Sequence, residues 1–304
     1  MNLGGKTENL VNGALELFLS GRSRALGEKV ILAIAIGSYL VHLSLIALVH
    51  WGILIADSRF LQNPISAIYT PFSFILVYEV YLLIFYLPKS TSFYIGKQYE
   101  IITLIVIRRI FKDIGALELG ASWFENDHDL QFTYDVLTSL ILYSLIFVFY
   151  HKVLKRAVPS HEVSSQHVDR TSSFILLKKS IAILLVPILL GLAIYSLSEW
   201  VQVATDDYLS GMDALSNLNN IFFEEFFTIM IIVDVLILLT SFFYSDKFHT
   251  IIRNSGFVIS TVLIKASFSV NGVLNNALIL GSVVFGILIM YLHGLFEERS
   301  IGSS

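Results

Sequence analysis

Eight stretches of this chain run for about 20 residues with little interruption by charge, and no other feature narrows its fold as much. A helix needs about 20 mainly apolar residues to cross a bilayer. The stretches lie near residues 30–55, 66–87, 99–117, 132–151, 179–198, 221–244, 252–269 and 273–293. The expected fold is therefore all-α: a polytopic membrane helix bundle of about eight transmembrane helices. Composition points the same way, since 55% of the residues are hydrophobic and 14% charged, against the roughly 25% charge that a soluble domain uses to cover its surface. Residues 9–18 are too short and polar to cross, and read either as an interfacial helix or as a frayed tail.

Charges between the stretches alternate. With the N-terminus inside, the inner segments hold Lys6, Arg22, Arg24 and Lys29, then Lys89 and Lys97, then Lys152, Lys155, Arg156, Arg170, Lys178 and Lys179, then Lys247 and Arg253, and finally Arg299. The outer loops are poor in bases, with Asp57 and Arg59, then Glu118, Glu125, Asp127 and Asp129, then Glu199, Asp206, Asp207 and Asp213. This is the pattern of the positive-inside rule, and Trp51, Trp123 and Trp200 fall near outer ends, where amphipathic rings are favoured. Both termini are expected in the cytoplasm of a cell with the protein in its inner, cytoplasmic membrane. The first span would act as an uncleaved signal anchor, because residues 1–28 show no cleavable leader.

The one long polar linker, between the fourth and fifth spans, divides the chain into two fours. The expected organisation is a cytoplasmic N-terminal segment (1–28), a first four-helix unit (29–157), a linker (158–173), a second four-helix unit (174–296) and a cytoplasmic tail (297–304). The units echo each other. The second span carries Glu79 in VYEVYLL and the sixth carries Asp234 in IIVDVLI; the third carries Arg108 and the seventh Lys265. Units with an even number of spans share an orientation, as in parallel repeats.

Charge inside a bilayer costs at least about 2.5–3.5 kcal/mol per residue even on insertion scales, so it marks packing or function. Glu79 and Arg108 lie on consecutive helices joined by a short loop and are placed to pair. Arg109 and Asp113 follow on the same helix, and Asp135 opens the fourth span. Asp234 is also near mid-depth, whereas Lys265 lies farther out, with Glu224 or Glu225 within reach of its long side chain. One reading makes these charges structural ion pairs; the other lines a polar path with them. A voltage-sensor reading of Arg108, Arg109 and Lys112 lacks the required repeat of a base at every third position. His42, mid-span in the first helix, reads as a packing residue before a proton relay. Pro187 should kink or loosen the fifth span. Asn271, Asn275 and Asn276 suit capping or interhelical hydrogen bonds.

Several functions are disfavoured. There is no cysteine, so disulfides and thiol chemistry are absent. No basic tract is long enough to follow nucleic acid. His151, His161 and His167 lack the spacing of metal ligands, and the acidic run Glu125–Asp129 lacks the glycine and distal glutamate of a calcium loop. No catalytic motif appears, so neither an enzyme nor a cofactor is expected.

The first unit resembles the phosphate-starvation-inducible E (PsiE) family of four-span membrane proteins. The likeness rests on VYEVYLL around Glu79, on TLIVIRRIFKD with Arg108 and Asp113 five apart, and on the DVL opening at Asp135. It covers roughly residues 30–155, with a diverged echo at 174–296 in which the trailing acid is missing. The resemblance implies an integral inner-membrane protein, here as a tandem duplication, and implies no settled activity. The expectation is an ion channel or transport-related protein, homo-oligomeric in the lipid bilayer and acting on small ions. The alternative is a non-conducting scaffold or stress-response protein that acts through partners.

Overall fold

A computed structural model of the chain describes residues 13–54, 61, 64–114, 127–156, 165–205, 211–244 and 248–301. These residues are helical apart from short turns, and none lies in a strand. The long helices are α1 (Gly21–His50), α2 (Tyr69–Tyr86), α3 (Thr91–Ile114), α4 (Asp127–Arg156), α5 (Ser165–Thr205), α6 (Gly211–Tyr244), α7 (Phe248–Phe268) and α8 (Gly272–Ile301). Each overlaps one predicted stretch. Residues 13–18 form a short helix before α1. The Ser20 hydroxyl caps α1 by accepting from the Ser23 amide at 3.1 Å, which satisfies one of the free donors at a helix start.

Six of these helices, α1 and α4 to α8, are long and apolar enough to cross a membrane. Among the described residues, length and composition thus support six of the eight expected spans. In α2 the apolar helix, Thr70–Tyr86, is short. α3 carries Lys97, Glu100, Arg108, Arg109, Lys112 and Asp113. The packing explains how such a helix is accommodated. α3 touches α2, α4 and α7, while α2 touches α1, α3, α5 and α6. The two helices least suited to lipid are those most enclosed by others.

The bundle has an apolar core like that of a soluble protein, but its interior also holds polar side chains and its exterior is apolar. Gln98, Asp135, Ser260, Thr261, Ser267 and Ser282 are fully buried, whereas Leu140, Tyr143, Phe147, Leu184, Ile194, Phe243 and Leu288 are exposed. Apolar surface on this scale marks contact with something other than water, and a rim of long apolar helices makes that medium lipid. This is an integral, multi-pass membrane protein.

One feature departs from the sequence reading. α5 has 41 residues, about 60 Å at 1.5 Å per residue, so it begins inside the segment expected to be a linker; residues 157–164 lie outside the described part. Pro187 sits within this helix, which continues on both sides of it.

Small residues set the helix spacing around α8. A methyl group on Gly256 of α7 would come within 2.6–2.9 Å of the Ile289 side chain. One on Gly286 of α8 would overlap the Tyr99 hydroxyl of α3, whereas one on Gly281 would meet nothing within 4 Å. Tyr99 cannot easily yield, because it is buried against Phe149 with ring centroids 5.2 Å apart. Gly272, which opens α8, has φ of +69°, a conformation that only glycine adopts freely. We expect Gly286→Ala to destabilise the detergent-solubilised protein by about 1–3 kcal/mol through overpacking and Gly281→Ala to leave its Tm unchanged. Adding Tyr99→Phe should recover part of the loss, and thermal unfolding checks all three.

Candidate functional site

The buried polar side chains gather into three centres, each built where a charge-bearing helix meets helices offering complementary groups. The first joins α2 to α3. Glu79 and Arg108 are each only 5% exposed, and the Arg108 guanidinium donates to the Glu79 carboxylate. The short link after Tyr86 folds the two helices into a hairpin, which brings acid and base together.

The second centre joins α3, α4 and α8. Arg109 donates from Nη1 to Asn275 Oδ1 (2.5 Å) and from Nη2 to Asn276 Oδ1 (2.7 Å) and Asp135 Oδ1 (3.2 Å). Asp135 is fully buried, and it also accepts from Gln131 (2.8 Å) and Asn276 (2.7 Å). Arg109 Nε and Asp135 Oδ2 lie 3.1 Å apart; they attract as charges without the alignment of a hydrogen bond. Asn275 donates onward to the Ser267 carbonyl at the end of α7. The neighbouring asparagines thus accept from the arginine through the amide oxygen and donate elsewhere through the amide nitrogen.

The third centre surrounds Asp234 on α6. Gln98 of α3 donates to Asp234 Oδ2 at 3.2 Å, and Thr261 of α7 donates to Gln98 Oε1 at 2.8 Å. The Tyr94 hydroxyl faces Asp234 and Gln98 but forms no well-aligned hydrogen bond. A cavity of about 20 Å³ opens here between α3, α5, α6 and α7, lined by Tyr94, Lys178, Asp234 and Asn254 among others. That is enough for a water molecule. Lys178 of α5 is buried, and its Nζ donates to the Lys89 carbonyl at 2.8 Å.

The remaining sequence candidates are scattered. Lys265 does not reach Glu225, which is exposed; it donates to Thr228 Oγ1, one turn farther along α6. The Glu224 side chain lies outside the described part. Asp234 and Lys265 therefore belong to separate centres, unlike Glu79 and Arg108. Asp113 lies near enough to Arg109 to act on its charge. His42 is buried and bonds Thr70 at 2.6 Å, tying α1 to the start of α2. Among the described residues no group of three or more His, Asp or Glu side chains could hold a metal ion.

No known protein family, curated protein or solved structure matches this chain. The geometry alone therefore ranks the residues. Gln98, Thr261 and Lys178 are the members that sequence reasoning missed. Gln98 falls just before the stretch read as the third span, and Lys178 counts as a loop charge until α5 is seen to extend past it. Their one legible signal is helical spacing, since Tyr94 and Gln98 stand four apart on one face.

Removing one partner of a buried ion pair strands the other and costs about 3–5 kcal/mol. Glu79→Gln is expected to lower thermal stability by that order. Glu79→Gln with Arg108→Leu should recover most of it, and a double-mutant cycle of unfolding measurements in detergent reads the coupling.

Proposed function

We propose that this protein moves ions across its membrane and that Asp234 is the exchange site, taking up and releasing a proton. One contrast carries the reading. Glu79 and Asp135 each face an arginine within ion-pair distance, whereas Asp234 has no basic group within 4 Å among the described residues and borders a cavity large enough for water. A carboxyl group with no fixed counter-ion can change charge without breaking an ion pair, which suits intramembrane proton relays. Lys178 lines the same cavity, and Gln98 donates to one carboxylate oxygen, Oδ2, of Asp234. The two arginine centres then serve as braces that keep α3 fixed while the Asp234 centre works.

The tandem arrangement remains part of the proposal, supported by packing. Each half packs in chain order, α1–α2–α3–α4 and α5–α6–α7–α8, and corresponding helices meet as α2–α6, α3–α7 and α4–α8. A PsiE-like origin, both termini in the cytoplasm and a homo-oligomer are consistent with this reading and belong to it. The two closed braces favour a second reading, in which the polar interior only holds a scaffold together.

Liposomes containing the purified protein and a trapped pH dye provide the test. The expected result is proton uptake down an imposed gradient, lost in Asp234→Asn. That variant should keep its Tm, because asparagine retains an oxygen for Gln98. Uptake that persists in Asp234→Asn would remove the site. No movement of protons, sodium or potassium by the wild-type protein would leave the scaffold reading.

A further inference from the structure

At the end of the bundle where α1 begins and α2 turns into α3, three cations converge on one tyrosine. Arg24 donates from Nη1 to the Tyr86 hydroxyl at 2.9 Å. Lys89 and Lys97 each hold their ammonium nitrogen 5.1 Å from the centre of the Tyr86 ring. Phe85 supports the arrangement, with Arg24 5.4 Å and Lys89 5.0 Å from its ring. The rings fix where the charges sit, since cations are attracted to aromatic faces, but they do not neutralise them.

The charge balance is uneven. Lys97 is paired with Glu100 at 2.7 Å, and Lys178 brings a further positive charge to the Lys89 carbonyl. Arg24 and Lys89 make no ion pair with any described carboxylate. Arg24 Nε is buried, so only the terminal guanidinium nitrogens, one of them already donating to Tyr86, remain for an outside acceptor, and their planar donors match phosphate. The surroundings indicate what carries that anion. Leu17 and Leu26, on either side of Arg24 in the sequence, are 67% and 65% exposed. The short helix bearing Leu17 is tied down by the Tyr81 hydroxyl, which donates to the Phe18 carbonyl at 2.7 Å. Cations without an ion pair thus share one end of a membrane bundle with exposed apolar side chains.

We propose that this platform binds the phosphate headgroup of an anionic phospholipid, with Arg24 and Lys89 as its donors and Leu17 and Leu26 against the acyl chains. The inference is independent of any activity at Asp234. Native mass spectrometry of the full chain in detergent, titrated with phosphatidylglycerol or phosphatidylcholine, tests it. Phosphatidylglycerol should be retained preferentially, and Arg24→Gln with Lys89→Gln should weaken it by roughly 30-fold, the loss of two basic contacts near a membrane surface. Arg22→Gln with Lys29→Gln, which leaves the platform untouched, should bind as the wild type does. Arg24→Lys alone, which keeps the charge but loses the fork, should fall between, and unchanged unfolding temperatures would show that the variants are folded. Equal retention of the two lipids, or equal loss in both double variants, would overturn the proposal. Displacement of the lipid by millimolar inorganic phosphate would also overturn it, and would assign the platform to the free anion.

Discussion

Arg108 and Arg109 stand side by side on a helix that other helices enclose, the first buried and the second in part, and each takes a carboxylate partner. Successive residues on a helix point about 100° apart, so one neighbour cannot serve both. Arg108 turns to α2 and meets Glu79. Arg109 turns to α4 and α8 and meets Asp135 with two asparagines. The two arginines therefore fix α3 relative to three other helices. That fixed position brings Tyr94, Gln98 and Tyr99 against α6 and α7, where Gln98 reaches Asp234 and Tyr99 bonds Ser260 at 2.7 Å.

The centres differ in how completely they are closed. Around Asp135, nearly every polar atom is engaged by charge or hydrogen bond, which makes the cluster rigid and any loss within it expensive. Around Asp234 the acid leans on a neutral amide, a tyrosine hydroxyl faces it without a good bond, and space remains beside them. A membrane protein that changes state needs both kinds of place, one that holds and one that gives.

Much of this was readable in the sequence, and the remainder was hidden for identifiable reasons. Apolar length located the six long helices, because lipid exposure imposes it residue by residue, and the shorter apolar runs of α2 and α3 marked those two as helices. The Glu79–Arg108 pair was readable because a short turn joins its two helices. Asp234 was found, but its surroundings were not: Gln98 and Lys178 come from helices far away in the chain, and nothing local encodes which distant helix packs where. For Lys265, charge suggested Glu224 or Glu225, and of these Glu225 is not its partner. A threonine one turn away met its need for an acceptor, and neutral partners leave no mark in a count of charges. The enclosure of α2 and α3 was equally invisible, since hydropathy describes a helix and not its neighbours.

The four residues between Tyr86 and Thr91 have a consequence for biosynthesis. A helix with the six charges of α3 gains little by entering lipid alone, because each charge opposes partitioning. α2 ends so close to its start that the two can enter only as a hairpin, with Glu79 and Arg108 cancelling each other as they do. α7, with Arg253 and Lys265, is joined as tightly to α8 through Gly272. For α2 and α3, insertion as a helix pair would spare Arg108 an unpaired passage into the bilayer.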